Sequence, residues 1–229
     1  MNESNVCHHD RKKCVAIVPI FNHLTEEEMQ EIVHTTTSMT YEKGEILYNA
    51  GYHSEGLYIV HKGKVKTYRL SETGKEQLIR VLNPGDFVGE LSLFSTMIHD
   101  SYAEAMEKTE VCRIRREDLQ QFLLKYPEIS LKVLTEFSNR LSETEKQATS
   151  IATESVNNRI VTYIGTLIKN TNDSIVSLPM SRKDIASYLG TSPETISRNL
   201  TELEKEGFIE QLTQRKLKII NDEPFTQYY

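Results

Sequence analysis

Two cysteines and two histidines lie within a short polar stretch near the start of the chain, CHHDRKKC, which runs from Cys7 to Cys14. Thiolate and imidazole groups are soft or borderline ligands, so this density indicates a metal site or a thiol redox switch. The alternative is a disordered basic tail whose cysteines have no function. The choice depends on what the rest of the chain does.

A second set of residues with recognisable chemistry lies in the stretch MSRKDIASYLGTSPETISRNLTELEKEGFIE. Ser181 and Ser192 each occupy the N-cap position of a predicted helix, and a glycine between the two helices allows a tight turn, so the stretch predicts a helix-turn-helix. Glu194 and Arg198 point outward at the start of the second helix. A carboxylate accepts a hydrogen bond from cytosine N4 and an arginine donates two to guanine, so this helix has the chemistry to read bases. A helical hairpin without DNA contacts is the alternative.

A predicted β-hairpin, GFIEQLTQRKLKIIN, follows the second helix as a wing, and its basic residues suit DNA phosphates. The residues predicted to contact DNA are Glu194, Ser197, Arg198, Ser192, Thr195, Arg182 and Lys216.

Charge divides the chain into two parts. The 229 residues carry a net charge of −6, but residues 157–229 contain equal numbers of basic and acidic residues, so the preceding part holds the whole excess. The negative net charge argues against indiscriminate nucleic-acid binding, and the uneven distribution indicates that the two parts have different functions. No apolar run approaches the roughly 20 residues that span a bilayer, and the N-terminus has no apolar signal region, so we expect a cytoplasmic protein without membrane contact.

The elements that position these residues begin with short predicted strands between Thr36 and Glu107, separated by turn residues. Gly63, Gly74 and Gly85 recur every eleven residues, which is typical of hairpins in a sandwich or barrel. A β-roll enzyme would need clustered histidine and glutamate ligands, whereas His53, His61 and His99 are dispersed, so we expect no enzyme.

A long predicted helix after Pro127 carries an apolar stripe with alternating spacings of three and four residues. This heptad pattern is narrow, which favours a parallel homodimer over a helix that lies on its own barrel. The stripe consists of Leu134, Phe137, Leu141, Thr144, Ala148 and Ile151.

Together these motifs resemble the CRP/FNR family of bacterial transcription regulators, over essentially the whole chain. The resemblance implies an α+β fold: a cyclic-nucleotide-binding-like β-roll (jelly roll), a long dimerisation helix and a C-terminal winged helix-turn-helix. The expected domains are an N-terminal metal or redox segment, a β-roll sensor domain with flanking helices, the dimerisation helix and the DNA-binding domain, at 1–22, 23–126, 127–156 and 157–229.

The ETISR stretch is similar to the FNR branch of the family, which implies inverted-repeat DNA sites with TTGA-like half-sites read by Glu194, Ser197 and Arg198. The same resemblance implies RNA polymerase as a partner. Where FNR has an aspartate in its dimer seam, this chain has Thr144, so dimerisation is expected to be constitutive.

The resemblance also bears on cyclic AMP. CRP holds this nucleotide with a Gly-Glu pair and, ten residues on, an Arg-Ser pair at the phosphate. Here Gly89 and Glu90 are kept, but Asp100 precedes Ser101, and a carboxylate opposes a phosphate, so we expect no cyclic AMP binding. Gly89 and Glu90 are expected to be structural.

FNR holds an iron–sulfur cluster with three N-terminal cysteines and one central cysteine, and Cys112 has the context of the central one. With two N-terminal cysteines, a four-thiolate cluster cannot form within one chain, and an iron–sulfur cluster completed by a non-thiolate ligand is less favoured than one divalent metal per subunit, zinc or ferrous iron. The expected ligands are Cys7, His8 or His9, Cys14 and Cys112. A Cys7–Cys14 disulfide is an open alternative, and FNR-like proteins of lactic-acid bacteria resemble this cysteine pattern.

We therefore expect a homodimeric regulator that senses metal, oxygen or thiol redox state. The alternative is a β-roll regulator that responds to another small molecule or acts without a ligand, with cysteines that have no function.

Overall fold

The structure is a computed structural model that describes residues 14–90, 98–169, 171 and 173–226. The chain divides into two compact units between Arg140 and Leu141, inside the longest helix, and not at the predicted boundaries after residues 126 and 156. Within the described residues, no helix is both long enough and apolar enough to cross a membrane.

The first unit contains the predicted β-roll, built from two antiparallel sheets. One sheet has the strand order β1-β8-β3-β6 and the other has the order β2-β7-β4-β5. Gly63, Gly74 and Gly85 each lie in a connection between consecutive strands, but only Gly74 joins two paired strands, β4 and β5, so only that connection is the predicted hairpin turn. The strands are β1 (Thr36–Tyr41), β2 (Ile46–Tyr48), β3 (Gly56–Lys62), β4 (Val65–Leu70), β5 (Glu76–Leu82), β6 (Phe87–Val88), β7 (Tyr102–Ala105) and β8 (Thr109–Arg115).

Helices that pack with the β-roll include α1 (Glu26–Thr35), α2 (Arg116–Lys125) and the first part of α3 (Pro127–Thr153). A capping box forms the start of α1. The Glu28 N–H donates to Thr25 Oγ1 at 3.3 Å, and the Thr25 N–H donates to Glu28 Oε2 at 2.8 Å.

A hydrophobic core packs these helices against the first sheet, with side chains such as Ile59, Leu119 and Ile129 fully buried. Cys14 and Phe21 lie in this same core, completely buried. The chain from Cys14 onward is therefore part of the β-roll's core, whereas the sequence predicts a separate segment that ends at residue 22.

The second unit contains the end of α3 and a winged helix-turn-helix. Its three-stranded sheet has the order β10-β11-β9, so the predicted wing hairpin pairs with a short third strand. The remaining elements are α4 (Val156–Lys169), β9 (Ile175–Ser177), α5 (Arg182–Tyr188), α6 (Pro193–Lys205), β10 (Ile209–Thr213), β11 (Lys216–Ile219) and α7 (Glu223–Thr226).

Candidate DNA-binding helix and sensor residues

A glycine forms the turn between α5 and α6, and a side-chain cap starts each of the two helices. Gly190 has φ of +65°, a left-handed conformation that L side chains rarely adopt. The Ser181 hydroxyl accepts from the Asp184 N–H at 3.1 Å, and the Ser192 hydroxyl accepts from the Thr195 N–H at 3.2 Å. Pro193 follows as the first residue of α6. The chain thus forms both helix starts where the sequence predicts them.

One face of α6 is buried and the opposite face is open. Ile196, Leu200 and Leu203 are buried in the domain core, whereas Glu194 and Arg198 are exposed. Burial of this apolar stripe therefore fixes which side chains face outward.

The charge state of Glu194 suits a hydrogen-bond acceptor. The pKa of this carboxyl is lowered because it accepts from its own backbone N–H and from the Ser192 hydroxyl. An ionised carboxylate can accept from cytosine N4. Arg198, one turn along the exposed face, supplies guanidinium donors.

The other predicted DNA contacts differ in how free they are. Lys216 is exposed on the wing, beside Arg215. Ser192 and Thr195 are half-buried, and their hydroxyl oxygens lie 3.1 Å apart, so both take part in the cap. Arg182 is half-buried and its guanidinium donates to groups of the same domain, including Gln211 Oε1 at 2.7 Å. Sequence reasoning does not reveal this partner, because Gln211 lies on the wing, 29 residues away.

Two of the three cysteines lie side by side. Cys14 and Cys112 are both buried free thiols, with exposed fractions of 0% and 3%. The pKa of the Cys14 thiol is raised, mainly by its hydrogen bond with Cys112 and then by burial. Ser38, opposite Cys112 in the β1–β8 pairing, brings its hydroxyl within 3.8 Å of Cys112 Sγ.

Only two of the predicted metal ligands, Cys14 and Cys112, belong to the described residues. Cys7, His8 and His9 lie outside the described residues. Among the residues that are described, no group of three or more His, Cys, Asp or Glu side chains could hold a metal ion. The structure brings together Cys14 and Cys112, and both thiols would have to lose a proton to become metal ligands.

The Gly-Glu pair of the β-roll has partners of its own. A Cβ at Gly89, which has φ of +91°, would lie 2.3 Å from the Gly56 carbonyl oxygen, so this position requires glycine. Glu90 Oε1 accepts from Arg140 Nη1 at 2.7 Å, and Arg80 Nη2 lies 3.7 Å from the same oxygen. Burial lowers the pKa of the Arg140 guanidinium, and the Glu90 charge opposes that effect.

At the positions that correspond to the phosphate-binding pair of CRP, Asp100 accepts a hydrogen bond from Arg69 of β4. The neighbouring Ser101 is buried, with 9% of its surface exposed. The cation at this place therefore comes from another strand and is engaged by a carboxylate.

The predicted dimer stripe is largely open in the single chain. Leu134 and Leu141 are 58% and 60% exposed, although both are large apolar side chains. Phe137 differs, because it packs against the core of the β-roll. Ile151 lies 3.6 Å from the position of a Cβ at Gly190, so it also contacts the turn of the helix-turn-helix. Leu131, three residues before Leu134 and 65% exposed, extends the open face and is missing from the sequence prediction.

Comparisons with known proteins agree with both parts of this description. Residues 38–126 match the cyclic nucleotide-binding domain family, and residues 158–224 match the Crp-like helix-turn-helix domain family. The probable transcriptional regulator flp of Lacticaseibacillus casei is 38% identical over 94% of this chain and 97% of its own length. The anaerobic regulatory protein of Pasteurella multocida is 31% identical over 87% of this chain and 74% of its own. The structure of FixK2 from Bradyrhizobium japonicum superposes with a TM-score of 0.74 and 26% identity, over 84% of this chain and 96% of that one.

Proposed function

Because the chain belongs to the CRP/FNR family of transcription regulators, which are not enzymes, we propose that it binds palindromic DNA as a homodimer and senses metal or thiol redox state. The DNA site of this proposal has two inverted TTGA-like half-sites. Glu194, Ser197 and Arg198 read the bases, and Lys216 binds a phosphate.

The observation that carries the DNA part is the capped helix α6. Its apolar face is buried and its N-terminal outer face presents Glu194 as an ionised acceptor beside the donor Arg198. Residues at the N-terminus of a recognition helix are the ones that reach base edges in the major groove.

The dimer part rests on the open apolar face of α3. Leu131, Leu134 and Leu141 would lose contact with water against a second copy, and each side chain contributes about 1.5–3 kcal/mol when fully buried. Two copies related by a two-fold axis present two recognition helices, and an inverted repeat matches that symmetry.

Fluorescence anisotropy tests the DNA part, with one duplex carrying two inverted TTGA half-sites and a second duplex with both half-sites scrambled. We expect the first duplex to bind at least about a thousandfold more tightly at physiological salt, which is the usual lower bound for specific recognition. Equal affinities would contradict the proposed site.

The sensing part is supported by the contact between Cys14 and Cys112. The contact joins the start of the described chain to β8, which leads directly into α2 and then α3. A divalent metal held by these thiolates together with Cys7 and His8 or His9 would anchor the N-terminal stretch there. Oxidation of two cysteine thiols to a disulfide by molecular oxygen, a peroxide or another disulfide would remove those ligands.

Elemental analysis of protein purified without oxygen tests the metal, alongside single replacements of Cys7, Cys14 and Cys112 by serine. We expect about one zinc or ferrous ion per chain in the parent and none in any of the three variants. A parent protein without metal, but with DNA affinity that changes between reductant and oxidant, would favour the disulfide alternative. No metal and no redox response would contradict both mechanisms.

The burial of the two thiols also favours a second candidate function. Cys14 and Cys112 pack within the hydrophobic core of the β-roll, where a cysteine can serve as a small apolar side chain. In this alternative the regulator acts without a ligand or with another small molecule. In that case DNA binding by the parent would be insensitive to oxygen and metal, and a variant with both cysteines replaced by valine would behave in the same way.

A further inference from the structure

Arg182 has three hydrogen-bond acceptors around its guanidinium, all from its own domain. Nη2 donates to Gln211 Oε1 at 2.7 Å, and Nε donates to the Gln214 carbonyl oxygen at 3.4 Å. Nη1 donates to the Ser197 hydroxyl oxygen at 3.4 Å. The guanidinium is thus fixed between the wing and the recognition helix α6.

The wing partner of Arg182 is itself held in place by α6. Glu204 accepts from the Gln211 backbone N–H at 2.7 Å and from Gln211 Nε2 at 2.8 Å. These two bonds, with the charge of Arg182, lower the pKa of the Glu204 carboxyl. Because Nε2 of Gln211 faces a carboxylate, its Oε1 has to face Arg182, and this orientation holds the guanidinium toward Ser197.

The position of Arg182 favours one of the two hydrogen-bonding roles of Ser197. A hydroxyl has one proton and can both donate and accept, so an unconstrained serine can face either a donor or an acceptor on a base. The Arg182 guanidinium can only donate, so it occupies one of the two lone pairs of the Ser197 oxygen, and its positive charge beside the other lone pair disfavours a second donor from a base. The hydroxyl proton is then directed elsewhere, and Ser197 donates to no acceptor within the part of the chain that the structure describes.

We propose that Arg182 is a positioning residue that fixes Ser197 as a hydrogen-bond donor and thereby sets base preference at the half-site position that Ser197 faces. This inference rests on the proposed function, in which α6 lies in the major groove. A serine held as a donor reads guanine O6 or N7, adenine N7 or thymine O4. It disfavours cytosine, whose major-groove edge presents only the N4 donor.

Binding selection from a duplex library, with every base of both half-sites randomised, tests the inference. The proteins compared are the parent, Ser197→Ala, Arg182→Met and the double variant. Ser197→Ala identifies the position read by the hydroxyl. We expect Arg182→Met to lower the base preference at that same position by about fivefold per half-site, because one hydrogen bond discriminates by about that factor. The double variant should lower the base preference no further.

A direct phosphate contact by Arg182 predicts a different result. In that case Arg182→Met would leave every base preference intact and would reduce the slope of log affinity against log salt by about 0.9 per half-site. Lys216→Ala is the matched control, because Lys216 is exposed on the wing and is expected to change the salt slope alone.

Gln211→Met gives a second route if Arg182→Met fails to fold, as judged by circular dichroism and thermal melting. It leaves Arg182 in the chain but removes its 2.7 Å partner, so we expect a smaller shift at the same base position. A parent preference that both variants leave intact would overturn the inference alone. A parent protein without any base preference would overturn the proposed function as well.

Discussion

Loss of one partner of the buried ion pair between Arg140 and Glu90 should destabilise the β-roll by a measurable amount, and Arg140→Met tests this. The pair is short, 2.7 Å between Nη1 and Oε1, and the two side chains are 15% and 11% exposed. Removal of one partner of a buried pair costs about 3–5 kcal/mol, because the other charge stays buried. Arg80, 3.7 Å from the same carboxylate oxygen, still compensates part of that charge. We therefore expect the lower end, ~3 kcal/mol.

The assay is urea unfolding at neutral pH, supported by calorimetry, in which the melting temperature should fall by roughly 9 °C for a chain of this size. Arg69→Met is the matched control, because it breaks an ion pair with Asp100 whose side chains are 58% and 53% exposed. A pair of that exposure contributes at most ~1 kcal/mol. Glu90→Gln in the Arg140→Met background should restore part of the lost stability, since it removes the uncompensated carboxylate. If Arg140→Met costs no more than Arg69→Met, the pair is screened by water and the reasoning fails.

Three further predictions follow from the same structure. Leu141→Arg should give monomers in sedimentation and lose DNA binding, because it places like charges across the two-fold seam. The control Leu124→Arg, at an 84% exposed position of α2, should remain dimeric. A dimeric Leu141→Arg would show that the interface lies elsewhere. Arg198→Ala should cost about 1–3 kcal/mol per half-site and relax preference at one guanine in competition binding, and an unchanged preference would contradict the assigned orientation of α6. Millimolar cyclic AMP should give no heat of binding in titration calorimetry and no change in DNA affinity. The reason is that the Asp100 carboxylate opposes the phosphate and that Glu90 is bound to Arg140. Micromolar binding would refute this argument from charge.

Local features of the sequence predict local features of the structure. The caps at Ser181 and Ser192 form as expected, because each satisfies an N–H only three residues along the chain. The glycine spacing likewise predicts where strands are connected, since a turn depends on a few consecutive residues, but it does not predict that only the turn at Gly74 joins paired strands. The same reasoning places Glu194 and Arg198 on the outer face of α6, because the apolar residues of the helix fix its inner face.

Contacts between distant residues could not be predicted in this way. Arg140 and Glu90 are 50 residues apart, and nothing in the spacing of either residue indicates the other. In the heptad stripe, Phe137 has the spacing of a dimer contact, yet it packs on its own β-roll, because the face of α3 that the β-roll covers overlaps the heptad positions. Leu131 was missed for the same reason, since it belongs to the open face but not to the regular heptad.

The burial of the thiol pair limits how the proposed sensor can work. An oxidant reacts with the thiolate, and the pKa of Cys14 is raised by its bond with Cys112 and by burial, so burial in the core disfavours the reactive form of Cys14. A metal ion would likewise have to displace protons from thiols in an apolar core. Either signal therefore acts on a state in which the stretch at Cys14 has moved out of the core, where Phe21 and Ile20 also lie.

This requirement gives a pH dependence that can be measured. A thiol with a raised pKa stabilises the folded protein fully below the unfolded value of 9.0 and progressively less as the pH rises beyond it. We expect the free energy of unfolding to fall above about pH 9, and Cys14→Val to remove that part of the fall. If the parent and Cys14→Val lose stability in parallel above this pH, the Cys14 thiol ionises as freely in the folded protein as in the unfolded chain. The thiol would then be open to oxidants and metals without any movement of the N-terminal stretch.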